Sequence, residues 1–217
     1  MTTPAISLLG TSALLFEAPG ETDLATQSRI WRLAREVAGW PETGEAVPGM
    51  NNLMLRFANP PRQLDAIIKR LLAAWEGAEP LAVDGRLMEL PVIYGGDGGL
   101  HMVDVSRHTS LTIDDIISLH TAPEYTVFAL GSHPGYCYLG GMDPRLATPR
   151  RKVPVLSIPG GAVSIGGGQT GVSASAGPSG WNTIGTTTAC FFDPGRNPPA
   201  LLRPGDRLRL YAVKVIR

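Results

Sequence analysis

The chain has 217 residues, with 19 Lys and Arg against 19 Asp and Glu, so its formal charge is zero. That balance argues against a dedicated nucleic-acid or anionic-membrane binder, either of which would be strongly basic. Gly (26) and Pro (19) are plentiful but fall short of the roughly 25–30 % that marks low-complexity disorder, and 43 % apolar residues suffice for a packed core.

Strand-length apolar runs, Ile6–Leu9 and Ala13–Phe16, come first, broken at Gly10-Thr11. From Thr22 or Asp23 to Ala38, residues Ile30, Leu33, Ala34 and Val37 fall at the 3, 4 and 7 offsets of one helix face. Asn52–Phe57 reads as a strand and Pro61–Trp75 as a helix, with Leu64, Ile67, Ile68, Leu71, Leu72 and Trp75 on its apolar side. Mixed strands and helices over residues 1–80 predict a small α+β domain, with Gly77–Gly85 as a linker.

Residues 81–217 are expected to form a second, mainly-β domain. Arg86–Tyr94 reads as a strand and Gly95–Gly99 as a loop, followed by short helices near 100–107 and 112–120, the latter opened by a Thr112/Asp115 capping box. From Tyr125 onward the pattern is short β segments: Tyr125–Leu130, Ala162–Ile165, Gln169–Ser173, Trp181–Thr186, Thr188–Phe192 and Leu208–Val215. Turn residues between them favour a barrel. The neutral total hides an asymmetry: residues 1–130 sum to −7 and residues 131–217 to +7.

Cys137 and Cys190 form no CxxC pair and no zinc spacing, which favours a reduced, cytoplasmic setting. No basic residue precedes Ala13–Phe16, so a signal peptide is not expected. No apolar run approaches about 18 residues, so a membrane span is not expected either.

Four groups of residues could carry chemistry. Gly131–Gly141 presents Ser132, His133, Tyr136, Cys137 and Tyr138 in a glycine-rich turn, but lacks the Gly-x-Ser-x-Gly elbow of a serine nucleophile. Cys137, flanked by tyrosines, reads as a packed and inert thiol. Gly166–Gly171 has the glycines of a phosphate loop without the lysine, so a tight turn or a close backbone approach to a ligand are both open. Arg145, Arg150, Arg151 and Lys152 form either a solvated positive face or an anion site. His101, His108 and His120 match no standard metal spacing and read as exposed helix histidines; no metal site is expected.

One long motif is distinctive. Pro134-Gly135-Tyr136-Cys137-Tyr138-Leu139-Gly140-Gly141-Met142-Asp143-Pro144-Arg145-Leu146-Ala147-Thr148-Pro149-Arg150-Arg151 resembles the "PGFPYLGGLDPRLATPRR" signature of the family of B-type 5-oxoprolinase subunits, also called KipI-like or allophanate hydrolase subunit 1. Gly167–Gly171, Gly180-Trp181, Ile184-Gly185, Phe192–Pro194, Pro198–Asp206 and Gly10–Leu15 are similar to the family's other blocks. The resemblance implies a cyclophilin-like C-terminal β-barrel behind the α+β domain. It implies a paralogous barrel protein, the C-type 5-oxoprolinase component, as partner, a further 5-oxoprolinase component as the third member, and ATP with Mg²⁺ at the level of the complex, which cleaves the cyclic amide 5-oxoproline to glutamate. It points to Arg150, Arg151 and Gln169 as catalytic candidates. His133, Tyr136, Tyr138, Gly168, Thr170 and Trp181 are the substrate- or anion-binding candidates.

Departures from the family pattern leave a second reading open. His133 stands before the Pro-Gly where Thr is usual, Tyr136-Cys137 replaces Phe-Pro, Ser173–Gly177 replaces a "YPLES"-type stretch, and Thr186 replaces an Arg. A family member from Bacillus inhibits a sensor histidine kinase, so an inhibitor without enzymatic activity is the alternative.

Overall fold

The computed structural model describes residues 3–217. The chain divides into two compact units, one ending at Val83 and the other running from Asp84 to Arg217.

In the first unit, strands β1 (Ala5–Leu9), β2 (Ala13–Glu17), β3 (Thr43–Pro48) and β4 (Asn52–Phe57) form an antiparallel sheet in the order β1-β2-β4-β3. Helices α1 (Leu24–Val37) and α2 (Leu64–Glu76) bury Ile30, Leu33, Val37, Ile67, Leu71 and Trp75 in one core with Leu14, Phe16, Leu53 and Leu55. Asp23 caps α1 by accepting a hydrogen bond from Thr26 N at 2.7 Å. Strand β3 is not legible in the sequence because Gly44, Glu45 and Pro48 break any apolar alternation. It lies at the sheet edge, where a proline costs no ladder hydrogen bond.

The second unit is a closed barrel. Its strands are β5 (Leu87–Gly95), β6 (Glu124–Leu130), β7 (Cys137–Gly140), β9 (Ala162–Gly166), β10 (Gln169–Val172), β12 (Asn182–Thr186) and β13 (Arg207–Ile216), ordered β10-β7-β6-β13-β5-β12-β9. The β5/β13 pair is parallel and the others antiparallel. Strands β8 (Val155–Ile158) and β11 (Gly177–Ser179) form a separate two-stranded ribbon. Leu90, Val92, Tyr94, Val127, Leu139, Val163, Ile165, Ile184 and Leu208 fill the barrel.

Helices α3 (Met102–Thr109) and α4 (Ile113–Thr121) add Met102, Val105, Ile116 and Ile117 to that core. The Thr112/Asp115 capping box opens α4, each residue's side chain accepting from the other's backbone N–H at 3.1 Å. No strand forms over Thr188–Phe192, contrary to the sequence expectation. Only Phe192 pairs there, in an isolated bridge to Ala200, and the apolar Phe191 instead anchors a loop to the core.

Candidate functional site

The Gly131–Gly141 motif makes the turn between β6 and β7 and the whole of β7. Gly135 takes φ 80°, and a Cβ there would meet Phe192 Cβ at 2.7 Å and Phe191 O at 2.9 Å, so only glycine fits. Strand alternation then sorts the side chains. Cys137 and Leu139 enter the core, while Tyr138 stays half-buried on the opposite side of β7. Burial pushes the Cys137 thiol up to about 12, which leaves it protonated and inert.

Tyr136, Tyr138 and Trp181 meet as an aromatic face in which Trp181 is buried, only 7 % exposed, behind the half-buried Tyr136 and Tyr138. Ring centroids lie 4.7 Å apart for Tyr136–Tyr138, 6.1 Å for Tyr136–Trp181 and 5.9 Å for Tyr138–Trp181. Two glycines let these rings approach the sheet. A Cβ on Gly171 would sit 2.8 Å from Tyr136 Oη, and one on Gly166 would sit 2.4 Å from the Trp181 indole. The Arg150 guanidinium stands 5.7 Å from the Trp181 ring centroid, within cation–π range. Desolvation holds the Tyr136 phenol well above its ordinary value, so it remains a neutral donor.

His133 completes one flank, its ring 5.2 Å from Tyr136. Its Nε2 accepts from Ala174 N at 3.2 Å and from Ser175 N at 3.4 Å, which places the neutral imidazole's proton on Nδ1. Burial lowers its pKa, and a proton on Nε2 would face those two N–H groups. His133 therefore braces the Ser173–Ser175 loop and does not serve the adjacent Ser132 as a base. Ser132 itself is exposed at φ 64°, in the left-handed region.

The other candidates separate. Arg151 turns to α3, donating from a terminal nitrogen to Asp104 Oδ2 at 3.0 Å, while its backbone N–H donates to Gly180 O at 2.7 Å. That guanidinium holds the Asp104 carboxyl below the usual carboxylate range. Gly167 and Gly168 form the tip of the β9–β10 hairpin, with Gly168 exposed and Gln169 half-buried. The Gly167 amide donates to Thr148 O at 2.7 Å, and Thr148 N donates back at 3.1 Å. That amide is committed to the fold, and the glycines make a tight turn.

Thr170 faces the barrel interior and is fully buried. Its hydroxyl donates to Ser164 O at 3.1 Å, so the 2.9 Å contact from His120 Nε2 is a donation to Thr170 Oγ1. His120 Nδ1 is then bare and accepts from Tyr94 Oη at 2.8 Å. This Tyr94–His120–Thr170 chain corrects the sequence expectation of an exposed helix histidine. His120 is wholly buried, and desolvation lowers its pKa to about 3. The sequence does hold a signal for it: His120 lies three, four and seven residues after Ile117, Ile116 and Ile113. His101 is also buried, its Nδ1 accepting from Thr183 N at 2.9 Å, and of the three helix-region histidines only His108 is exposed. Among the described residues, no group of three or more His, Cys, Asp or Glu could hold a metal ion.

Thr186, which replaces the family arginine, closes β12 and packs beside Gly98. It is five residues from Trp181, roughly 16 Å along an extended strand. The departure thus lies away from the aromatic face.

The chain is a closed β-barrel bearing an aromatic and cationic cluster, preceded in sequence by an α+β unit. Residues 4–202 match the pattern of the carboxyltransferase domain, subdomain C and D, and the chain belongs to that family, on its branch of B-type 5-oxoprolinase subunits. It is 44 % identical to the B-type 5-oxoprolinase component of Escherichia coli O157:H7 over 95 % of both chains. It is 34 % identical to the protein of that name from Bacillus subtilis (strain 168), over 96 % of this chain and 92 % of the other. Urea amidolyase of K. lactis shares the fold at 20 % identity, with a TM-score of 0.82 over 97 % of this chain and 15 % of that one. Among the described residues, no helix is long and apolar enough to cross a membrane.

Proposed function

We propose that the chain is the B-type component of an ATP-dependent 5-oxoprolinase complex, working with a paralogous C-type barrel protein and a third component in the cytoplasm. The observation that carries the reading is the Tyr136–Tyr138–Trp181 face with Arg150 at its edge. 5-Oxoproline is a flat five-membered lactam with one carboxylate, which suits stacking on aromatic rings beside a guanidinium.

ATP would supply the driving force: the lactam oxygen would take the γ-phosphoryl group with ADP leaving, and water would then attack the activated carbonyl carbon, the C–N bond breaking and phosphate departing to give glutamate. Two of the groups that could meet a triphosphate are already engaged: the hairpin amide of Gly167 is bonded to Thr148, and Arg151 is paired with Asp104. On this reading nucleotide and Mg²⁺ act at the level of the assembled complex, and this chain's residues bind and orient the lactam. Arg150 holds the carboxylate, and Tyr136 and Tyr138, backed by the buried Trp181, wall the ring.

The test is to purify the complex assembled with its partner proteins and measure 5-oxoproline-dependent ATP hydrolysis. Turnover with a raised KM in Arg150→Ala is the expected result. An intact complex without turnover overturns the reading.

A further inference from the structure

The β8–β11 ribbon stands apart from the barrel hydrogen-bond network, and each of its two strands leaves one edge unpaired. Leu156 is 90 % exposed and Val153, just ahead of the ribbon, 76 % exposed, the highest values among the large apolar residues described. Single exposed apolar residues are ordinary, but Leu156 sits on a free ribbon, with Val153 on its approach, and the ribbon's two ends run into the candidate site. Arg150, Arg151 and Lys152 lead into β8, and β11 leads through Gly180 to Trp181. The Arg151 N–H to Gly180 O hydrogen bond ties those two ends together.

Charge says what kind of surface could cover it. The 49 residues from Pro144 to Phe192 contain Arg145, Arg150, Arg151 and Lys152 and no Asp or Glu. Arg145 and Arg151 are neutralised by Asp143 and Asp104 from outside that stretch, while Arg150 and Lys152 have no ion pair among the described residues. Arg150 is the group assigned to the lactam carboxylate, so a second cationic surface or a neutral apolar sheet would leave Lys152 uncompensated as water is expelled.

We propose that the β8–β11 ribbon is the docking element for the paralogous C-type barrel partner, and that it seats Leu156 and Val153 in an apolar hollow rimmed by carboxylates. Bound there, the partner roofs the aromatic face. This rests on the proposed function above and assigns the surface through which it operates.

The probe is the C-type barrel protein from the same genome, titrated against this chain by calorimetry. Leu156 and Lys152 are exposed and outside the binding face, so Leu156→Asp and Lys152→Glu should leave the thermal midpoint of the isolated chain unchanged. Leu156→Asp is expected to raise the partner Kd about 30-fold, the scale of one interface hot spot. Lys152→Glu is expected to slow association and to flatten its dependence on salt. A Kd within about threefold of wild type in both variants overturns the docking element even if the complex turns over 5-oxoproline. A saturated wild-type complex without 5-oxoproline turnover, with these Kd shifts still observed in the variants, overturns only the enzymatic reading. Self-association of the chain that Leu156→Asp abolishes, without any effect on the partner, assigns the ribbon to a second copy and overturns the proposal.

Discussion

Trp181 lies on Gly166 so closely that an added Cβ would fall 2.4–2.7 Å from three atoms of the indole. Gly166 does not have a positive φ, so the constraint is contact with the ring and not backbone strain. Gly166→Ala must push Trp181 off the sheet and away from Tyr136 and Tyr138. Overpacking of this kind costs about 1–3 kcal/mol. We expect a lowered thermal midpoint together with a raised KM for 5-oxoproline. Gly168→Ala, two residues on, is the control: nothing lies within 4 Å of its Cβ, and it should change neither quantity. Equal effects at the two positions would remove Gly166 as the floor of the face.

The aromatic face is legible in the sequence because its tyrosines stand in one long motif, and Trp181 follows a glycine that signals a turn. What the sequence cannot divide is the set of residues on either side of a strand. Thr170 and Gly171 are neighbours in β10, yet the hydroxyl of the first closes a buried chain to His120 while the second lies under Tyr136. Which of the two faces outward depends on the β7–β10 register, which pairs Thr170 with Leu139 and Gly171 with Tyr138. Arg150 and Arg151 diverge similarly, because only the fold brings Asp104 of α3 to the second of them.

Thr170→Val keeps the shape of the side chain but removes the acceptor for His120 Nε2. It also removes the donor to Ser164 O. An unsatisfied buried imidazole N–H costs about 1–3 kcal/mol. The expected outcome is a fall in denaturant midpoint at unchanged slope, with Thr170→Ser recovering most of it. A Val variant as stable as wild type would show that water replaces the hydroxyl.

His120 makes folding sensitive to mild acid. Burial lowers its pKa from the ordinary 6.5 to about 3, so below pH 6.5 the unfolded chain takes up a proton that the folded chain refuses. The stabilisation is complete above pH 6.5 and is lost progressively as the pH falls toward 3, at up to about 1.4 kcal/mol per pH unit. His101 and His133, also held below their ordinary values mainly by burial, act in the same direction. Between about pH 6.5 and 5, before carboxylates titrate, unfolding free energy should fall for wild type and fall less steeply for His120→Gln. The variant starts lower, since glutamine cannot satisfy both Tyr94 and Thr170 in the same geometry. Parallel slopes would exclude His120 as the responsible group.

Arg150 and Arg151 are adjacent but should fail differently when truncated. Arg150 is exposed, without an ion pair among the described residues, and its guanidinium lies at the edge of the Trp181 ring. Arg150→Ala should leave the thermal midpoint of the isolated chain within experimental error, while raising the KM of the complex about tenfold, the scale of one lost charged hydrogen bond. Arg151 is about two-thirds buried and binds Asp104, so Arg151→Ala leaves that carboxylate without its main partner. Because Asp104 is half-exposed, water takes over much of that role, and we expect only about 0.5–1 kcal/mol of lost stability. Its KM effect should be smaller than that of Arg150→Ala, and Asp104→Asn should reproduce its stability change. If Arg151→Ala instead raises KM strongly without destabilising the chain, the guanidinium that meets substrate is Arg151, and the Asp104 pair must open when the complex assembles.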